Sequence, residues 1–166
     1  MRGSRPFVSL LERTVAHASP QLRAIPDEAT RTPPAPDKWT PREVIGHLID
    51  SASNNHGRFV RAAAQDDLTF PGYAQDAWVE TQHYNDASWG DLITLWVSFN
   101  VHIAHVMRSL PDHAGSRPRT RHNLHELAWK PMPDGEPVTL NAFMADYVAH
   151  LRHHLVQVLG PDWESR

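Results

Sequence analysis

The stretch TPREVIGHL, residues 40–48, marks the start of a long helix, and the rest of the chain can be interpreted outward from it. Thr40 offers a capping hydroxyl, Pro41 suits the first helical position, and Glu43 can close a capping box with Thr40. These signals predict a helix that runs to about residue 64. One face of it carries His47 together with Val44, Leu48, Ser51, Asn55 and Phe59. We therefore expect His47 to point into a bundle interior, where an imidazole needs a partner.

Three further segments have the apolar spacing of amphipathic helices. The first spans about residues 6–23. Another begins after the capping residue Ser88 and runs to about residue 110. The last covers about residues 139–159 and stops at Gly160-Pro161, a glycine followed by a residue that cannot continue a helix. The sequence therefore predicts an all-α fold, a four-helix bundle.

Two connections separate these helices. Residues 66–87 are predicted to be loop with one short helix over residues 76–81. Residues 112–138 are polar and rich in proline, and they predict a long connection before the last helix that contains a short strand or turn. Since 166 residues with 40% hydrophobic content suffice for one core, we expect a single domain over residues 1–166.

Composition excludes several classes of function. A net charge of −3 and a pI near 6.4 leave no basic excess for a phosphate backbone, so we do not expect a nucleic-acid partner. No apolar run approaches the roughly 18 to 20 residues of a membrane span, so we expect no membrane association and a cytoplasmic location. The absence of cysteine excludes disulfides, zinc–thiolate sites and a cysteine nucleophile.

The last helix carries a histidine pair on its apolar stripe. Phe143, Tyr147, His150, His154 and Val158 follow one another at intervals of four, three, four and four residues. Two histidines one turn apart on a helix can bind one metal ion, as in His-Glu-x-x-His proteases. Leu151 stands here where those proteases carry their glutamate base, and the adjacent His153 is expected to face outward.

Spacing alone leaves two interpretations open. His150 and His154 could be core histidines that bond to each other, or they could bind metal together with His47. The metal interpretation is favoured by the conjunction of an inward histidine on a second helix, flanking aromatic residues and the lack of cysteine alternatives.

The other polar residues near this pattern have less specific interpretations. Solvated side chains are expected at His17, His56, His83, His105 and His113. The roles of His102, His122 and His125 stay open, because a long connection can fold over a site. Asp50 and Asp146 each lie one turn from a candidate ligand and could orient its ring, but surface salt bridges are the favoured interpretation.

Four stretches resemble the DinB superfamily and, within it, the YfiT-like proteins described as metal-dependent hydrolases. They are residues 38–51, residues 55–59, residues 71–78 and residues 147–154. The resemblance covers nearly the whole chain after the first helix. The sequence departs from the family's pattern at Gly46 and in the proline-rich stretch near Pro131, neither of which is a ligand position.

The resemblance implies both a ligand set and an architecture. In that family three histidines bind one ion, and the matching positions are His47, His150 and His154. The bundle is implied to be up-down-down-up, and the protein to be a homodimer. The ion is expected to be divalent, one per chain, with zinc or nickel favoured over copper or iron.

Three imidazoles leave the ion its full charge and an open position, which suits catalysis. The ion could activate water for hydrolysis of an amide or ester. It could equally activate a low-molecular-weight thiol, since the superfamily includes bacillithiol transferases and a mycothiol-dependent maleylpyruvate isomerase. No glutamate is predicted on the inner face as a general base, which favours thiol transfer. Arg58, Arg61 and Arg152 are the candidates to meet an anionic thiol, with solvated arginines as the default.

A small-molecule substrate is expected in either case. The remaining hypothesis is a non-catalytic metal-binding or stress-response bundle protein, and the sequence identifies no catalytic residue that would exclude it.

Overall fold

This computed structural model describes residues 5–166, which contain four long and four short α-helices. The helices are α1 (Pro6–Arg23), α2 (Asp27–Thr30), α3 (Pro41–Ala62), α4 (Gln75–Gln82), α5 (Trp89–Ser109), α6 (Asp112–Ser116), α7 (Leu124–Leu127) and α8 (Leu140–Leu159). The all-α prediction is confirmed. Residues 1–4 of the predicted domain lie outside the described residues. No helix in the described range combines the length and apolar character needed to cross a membrane.

Local capping signals fix where the long helices begin. The Thr40 hydroxyl accepts a hydrogen bond from the Glu43 backbone N–H at 3.2 Å, and the Glu43 carboxylate accepts one from the Thr40 N–H at 2.8 Å. This is the predicted capping box of α3. Ser88 and Thr139 cap α5 and α8 in the same way, through their hydroxyls. The positive φ of Gly160, 86°, ends α8.

The four long helices form a bundle in which chain neighbours are not always spatial neighbours. Extensive packing joins α1 to α5 and α8, and joins α3 to α5 and α8. Helix α1 therefore lies diagonally opposite α3, and α5 lies opposite α8. This is the predicted up-down-down-up arrangement, and the long segment between α5 and α8 makes the diagonal crossing possible.

Aromatic packing fixes the inward face of α8 against the other helices. Phe59 of α3 meets Phe143 and Tyr147 edge to face, at centroid distances of 5.8 and 5.7 Å. The buried Tyr147 hydroxyl donates to the Oδ1 of Asn100 on α5 at 2.6 Å. Because these contacts fix the rotation of α8, they also fix the direction in which its histidines point.

The connection before α8 contains no full strand among its described residues. One isolated bridge, Leu68 with His122, pairs it with the segment after α3, and a second, Arg119 with Val138, joins two parts of the connection itself. Buried His122 bonds to the carbonyl of Glu136 at 2.9 Å and accepts the N–H of Leu124. His122 therefore holds the connection in shape, and this answers the question the sequence left open for that residue.

Candidate metal centre

Three histidines from two helices converge in the bundle interior. The Nε2 atom of His150 lies 3.3 Å from that of His47 on α3 and 3.0 Å from that of His154 on α8. One nitrogen from each ring lies within 4.8 Å of the other two. Tetrahedral zinc with bonds of about 2.0 to 2.1 Å separates its ligand nitrogens by about 3.3 Å. The spacing of these side chains therefore fits a single small ion.

Burial keeps the cluster uncharged. Only 1% of His47 and 9% of His150 are exposed. Desolvation, reinforced by the neighbouring rings, lowers the pKa of His47 to about 4 and that of His150 to about 3. Desolvation also lowers the pKa of His154. At neutral pH all three rings are neutral, which is the form that binds metal.

Neighbouring side chains orient the rings and limit access of water. The Nδ1 of His154 lies 2.9 Å from the Gln157 side-chain oxygen, a contact that suits the tautomer with its proton on Nδ1 and the Nε2 lone pair free. Trp39 lies 5.0 Å from the His47 ring, and Trp129 lies 6.3 Å from the His150 ring. The buried Nδ1 of His47 has no hydrogen-bond partner within residues 5–166.

Two cavities meet at His154. The outer cavity, of about 710 Å³, lies between residues 32–41 and α8, with Trp39 in its wall. The inner cavity, of about 250 Å³, is bordered by α3, α7 and α8 and reaches both His150 and His154. The same histidine thus borders two separate spaces of different size.

The inner cavity is polar. It is lined by Ser51, Asn55, Arg58 and Tyr73 on one side and by Glu126 and Asp146 on the other. Arg58 is only 4% exposed, so the default interpretation of Arg58 as a solvated arginine was wrong. Glu126 also lines the cavity, but no local sequence pattern predicts this, because the fold of the connection brings the residue there.

Asp50 and Asp146 do not form the surface salt bridges that the sequence favoured. Asp50 is 2% exposed and accepts hydrogen bonds from the Tyr84 hydroxyl at 2.6 Å and the Gln82 amide at 2.8 Å. Burial raises the pKa of Asp50. Asp146 accepts the backbone N–H groups of Trp129 and Lys130 at 2.8 and 2.9 Å. Both carboxylates hold neighbouring segments in place, and neither bonds to a candidate ligand ring.

Gly46 allows a close approach beside the first candidate ligand. A Cβ atom at Gly46 would overlap the ring of Tyr84. The missing side chain lets Tyr84 lie against α3 and reach Asp50. The departure from the family's pattern at Gly46 thus has a packing reason.

Other histidines group at the surface between α3 and α5. The rings of His56 and His102 lie 5.1 Å apart, and those of His102 and His105 lie 6.3 Å apart. Within residues 5–166, only His47, His150 and His154 meet the geometry of a three-residue metal group. His153 is exposed as predicted, and its ring lies 5.0 Å from that of Trp129.

Comparison with known proteins adds family membership to this geometry. The family model of the DinB superfamily matches residues 10–158. This chain belongs to the DinB superfamily. It is 23% identical over 152 residues to YfiT of Bacillus subtilis (strain 168), provisionally named a metal-dependent hydrolase, and the match covers 92% of this chain and 80% of YfiT.

Solved structures confirm the fold. The structure of YfiT from Bacillus subtilis, described as having an unusual four-helix bundle topology, matches with a TM-score of 0.76 at 23% identity, over 96% of this chain and 86% of YfiT. A mycothiol-dependent maleylpyruvate isomerase matches with a TM-score of 0.68 at 14% identity. That match covers 92% of this chain and 59% of the isomerase. At these identities the two structures support the bundle architecture alone.

Proposed function

We propose that this protein is a metal-dependent enzyme that transfers a low-molecular-weight thiol to a small electrophile. One divalent ion would be held by His47, His150 and His154. The observation that carries the proposal is a cluster of neutral, converging imidazoles that borders two separate cavities. Two reactants need two spaces that meet at the reactive centre.

An ion on three neutral imidazoles keeps its full charge and an open coordination position, and it lowers the pKa of a coordinated thiol or water. The residues of the chain prepare this site. Gln157 holds the His154 ring in the tautomer whose Nε2 faces the cluster. Trp39 and Trp129 limit the water that reaches the imidazoles. Thiol transfer requires no general base from the protein, which agrees with the absence, among the described residues, of acids bonded to the ligand rings.

Hydrolysis is the second candidate, and the inner cavity supplies the observation that favours it. Both Glu126 and Asp146 line that cavity beside the histidines. Asp146 is already bonded to two backbone N–H groups, so Glu126 is the better placed group to accept a proton from water. The provisional name of YfiT as a metal-dependent hydrolase supports the same reaction class.

The remaining parts of the proposal concern the setting of the site. We propose zinc or nickel as the ion, a small molecule as substrate, a cytoplasmic location and a homodimer of single-domain subunits spanning residues 1–166. The superfamily resemblance supports the dimer, and the three-nitrogen donor set supports the choice of metals.

The test compares both reactions on the same protein. Zinc- or nickel-loaded wild type is incubated with bacillithiol, mycothiol or cysteine and monobromobimane, and separately with p-nitrophenyl acetate without thiol. We expect metal-dependent S-conjugate formation that falls to the rate without protein in His150→Ala and persists in His102→Ala. Metal-dependent ester hydrolysis without thiol conjugation would overturn the thiol-transfer proposal in favour of a hydrolase. Bound metal with neither activity would overturn both and leave a binding protein.

A further inference from the structure

Three arginines are buried among residues 5–166, and they differ in how their charge is compensated. The guanidinium of Arg42 forms an ion pair with Asp27. Arg119 lies in the field of Asp66 and Asp67. Arg58 forms no ion pair with a carboxylate of the described chain, although it is only 4% exposed. A buried charge without a counter-charge is costly unless something else offsets it.

The protein partners of Arg58 are neutral. Its guanidinium donates to the carbonyl of Pro71 at 2.9 Å and, at 3.4 Å, to the side-chain oxygen of Asn55. These bonds hold the head group in position without neutralising it. Desolvation lowers the pKa of Arg58, which remains a cation at any physiological pH.

Arg58 also lies in the wall of the inner cavity, which reaches His150 and His154. The hydroxyls of Ser51 and Tyr73 line the same wall. The hydroxyl of Tyr73 donates to no protein acceptor within the described chain. The Oδ1 atom of the nearby acid Asp50 accepts hydrogen bonds from Tyr84 and Gln82, and its Oδ2 atom is buried without a partner in the described chain. The cavity therefore combines a fixed cation and hydroxyl donors with two carboxylates. Asp146 already accepts two backbone N–H groups, and the Glu126 side chain is 65% exposed, so water screens its charge.

We propose that Arg58, with the hydroxyls of Tyr73 and Ser51, forms a carboxylate-binding subsite in the inner cavity, so that one reactant of the enzyme is a small carboxylic acid. The proposal deepens the proposed function and rests on it, because it takes the inner cavity to hold a reactant of the metal centre. The planar guanidinium can hold a carboxylate through two parallel hydrogen bonds. A cavity of about 250 Å³ limits that reactant to a small acid. The carboxylate belongs either to the thiol or to its electrophilic partner.

The test measures binding rather than turnover. Cobalt-loaded protein is titrated with ω-mercapto acids of two to six carbons and with the uncharged ω-mercapto alcohols of the same lengths, and thiol binding is followed by the sulfur-to-cobalt absorption band. We expect at least one acid to bind about tenfold to 100-fold more tightly than its alcohol, as charge-assisted hydrogen bonds would give. The chain length of the mercapto acid that binds most tightly measures the distance from the ion to the Arg58 guanidinium.

Substitutions separate a binding role from a structural one. Arg58→Gln should abolish the acid-over-alcohol preference and leave alcohol binding unchanged, and Arg58→Lys should retain part of the preference. Tyr73→Phe should reduce the acid-over-alcohol preference, and this variant tests the subsite independently if the Arg58 variants do not fold. Arg61→Gln, at an exposed arginine of the same helix, should leave it intact. An equal preference in wild type and Arg58→Gln, or none in wild type, would overturn the subsite.

A second arm distinguishes this failure from failure of the metal centre, and it also identifies the source of the carboxylate. Metal-free wild type and Arg58→Gln are titrated calorimetrically with butyrate and succinate, which contain no thiol. Binding that depends on Arg58 supports the subsite even if no metal is retained, and it assigns the carboxylate to the second reactant. Preference confined to mercapto acids assigns it to the thiol. No Arg58-dependent binding of any acid, in either arm, would contradict the proposal.

Discussion

Two groups of histidines on this bundle show how environment decides the chemistry of one residue type. The interior group, His47, His150 and His154, and the surface group, His56, His102 and His105, each join two helices with rings about equally close. The ring centroids of His47 and His154 are 4.7 Å apart, and those of His56 and His102 are 5.1 Å apart. The interior rings are shielded, and those of His150 and His154 border cavities, whereas His102 and His105 are exposed.

The difference lies in what each ring can exchange for water. Water hydrogen-bonds to the ring nitrogens of an exposed imidazole. The free-energy cost of leaving such a ring without a metal is therefore small. The buried Nδ1 of His47 has no hydrogen-bond partner in the part of the chain that the structure describes, and the interior nitrogens can satisfy one another only in part. Close histidines thus indicate a metal centre when they are desolvated and converge from two fixed helices.

Acid should destabilise the metal-free protein mainly through the interior group. The pKa values of His47 and His150, about 4 and about 3, lie below the ordinary 6.5 of the unfolded chain. Below pH 6.5 the unfolded state therefore binds protons at these rings and the folded state does not. The free energy of unfolding keeps its full value above that pH and decreases as pH falls. We expect a loss of about 3 to 4 kcal/mol between pH 7 and 5, measured by urea unfolding in the presence of EDTA.

Matched variants show which histidines cause this loss of unfolding free energy. The double variant His47→Phe with His150→Leu should show a much smaller decline over the same range. Replacing His56 and His102 by alanine should preserve most of it: burial lowers the pKa of His56 too, but its ring is only half-buried. Identical pH dependence in wild type and in the His47/His150 double variant would contradict the account of the interior rings.

A pair of glycine substitutions on α3 sharpens the comparison at smaller scale. Gly46 precedes His47 and contacts the ring of Tyr84. Gly57 follows His56, and a Cβ atom added there would lie 3.5 Å from its nearest neighbour, an ordinary van der Waals contact. Gly46→Ala should destabilise the protein by about 1 to 3 kcal/mol through overpacking. Gly57→Ala should be neutral or stabilise by up to about 1 kcal/mol, since alanine favours helix. Thermal unfolding of both variants measures the difference, and equal effects would remove the packing role of Gly46.

Most of the fold could be predicted from sequence because its signals are local. The capping box at Thr40 and the glycine stop at Gly160 act within one turn of chain, and both place helix ends. Helical spacing likewise predicted which residues of α8 face inward. The shape of the segment between α5 and α8 depends instead on distant pairings, such as Leu68 with His122, which no local pattern encodes.

The residues of the candidate site likewise fall into those that local patterns predict and those that depend on distant segments. The convergence of His47, His150 and His154 follows from helix periodicity and from a resemblance that matches the same three positions. The burial of Arg58 does not, because it depends on the segment at Pro71 that covers its head group. The approach of Glu126 also depends on the long connection. Groups on the long helices were predictable, whereas groups brought in by connections were not.

The central claim is that the interior histidines bind one ion and the surface histidines do not. Elemental analysis of untagged wild type, His150→Ala, His154→Ala and His102→Ala, after incubation with zinc or nickel and removal of free metal, tests it most directly. We predict about one ion per chain in wild type and His102→Ala, and almost none in the other two variants. A wild type without metal, or metal retained in His150→Ala and lost in His102→Ala, would contradict the claim.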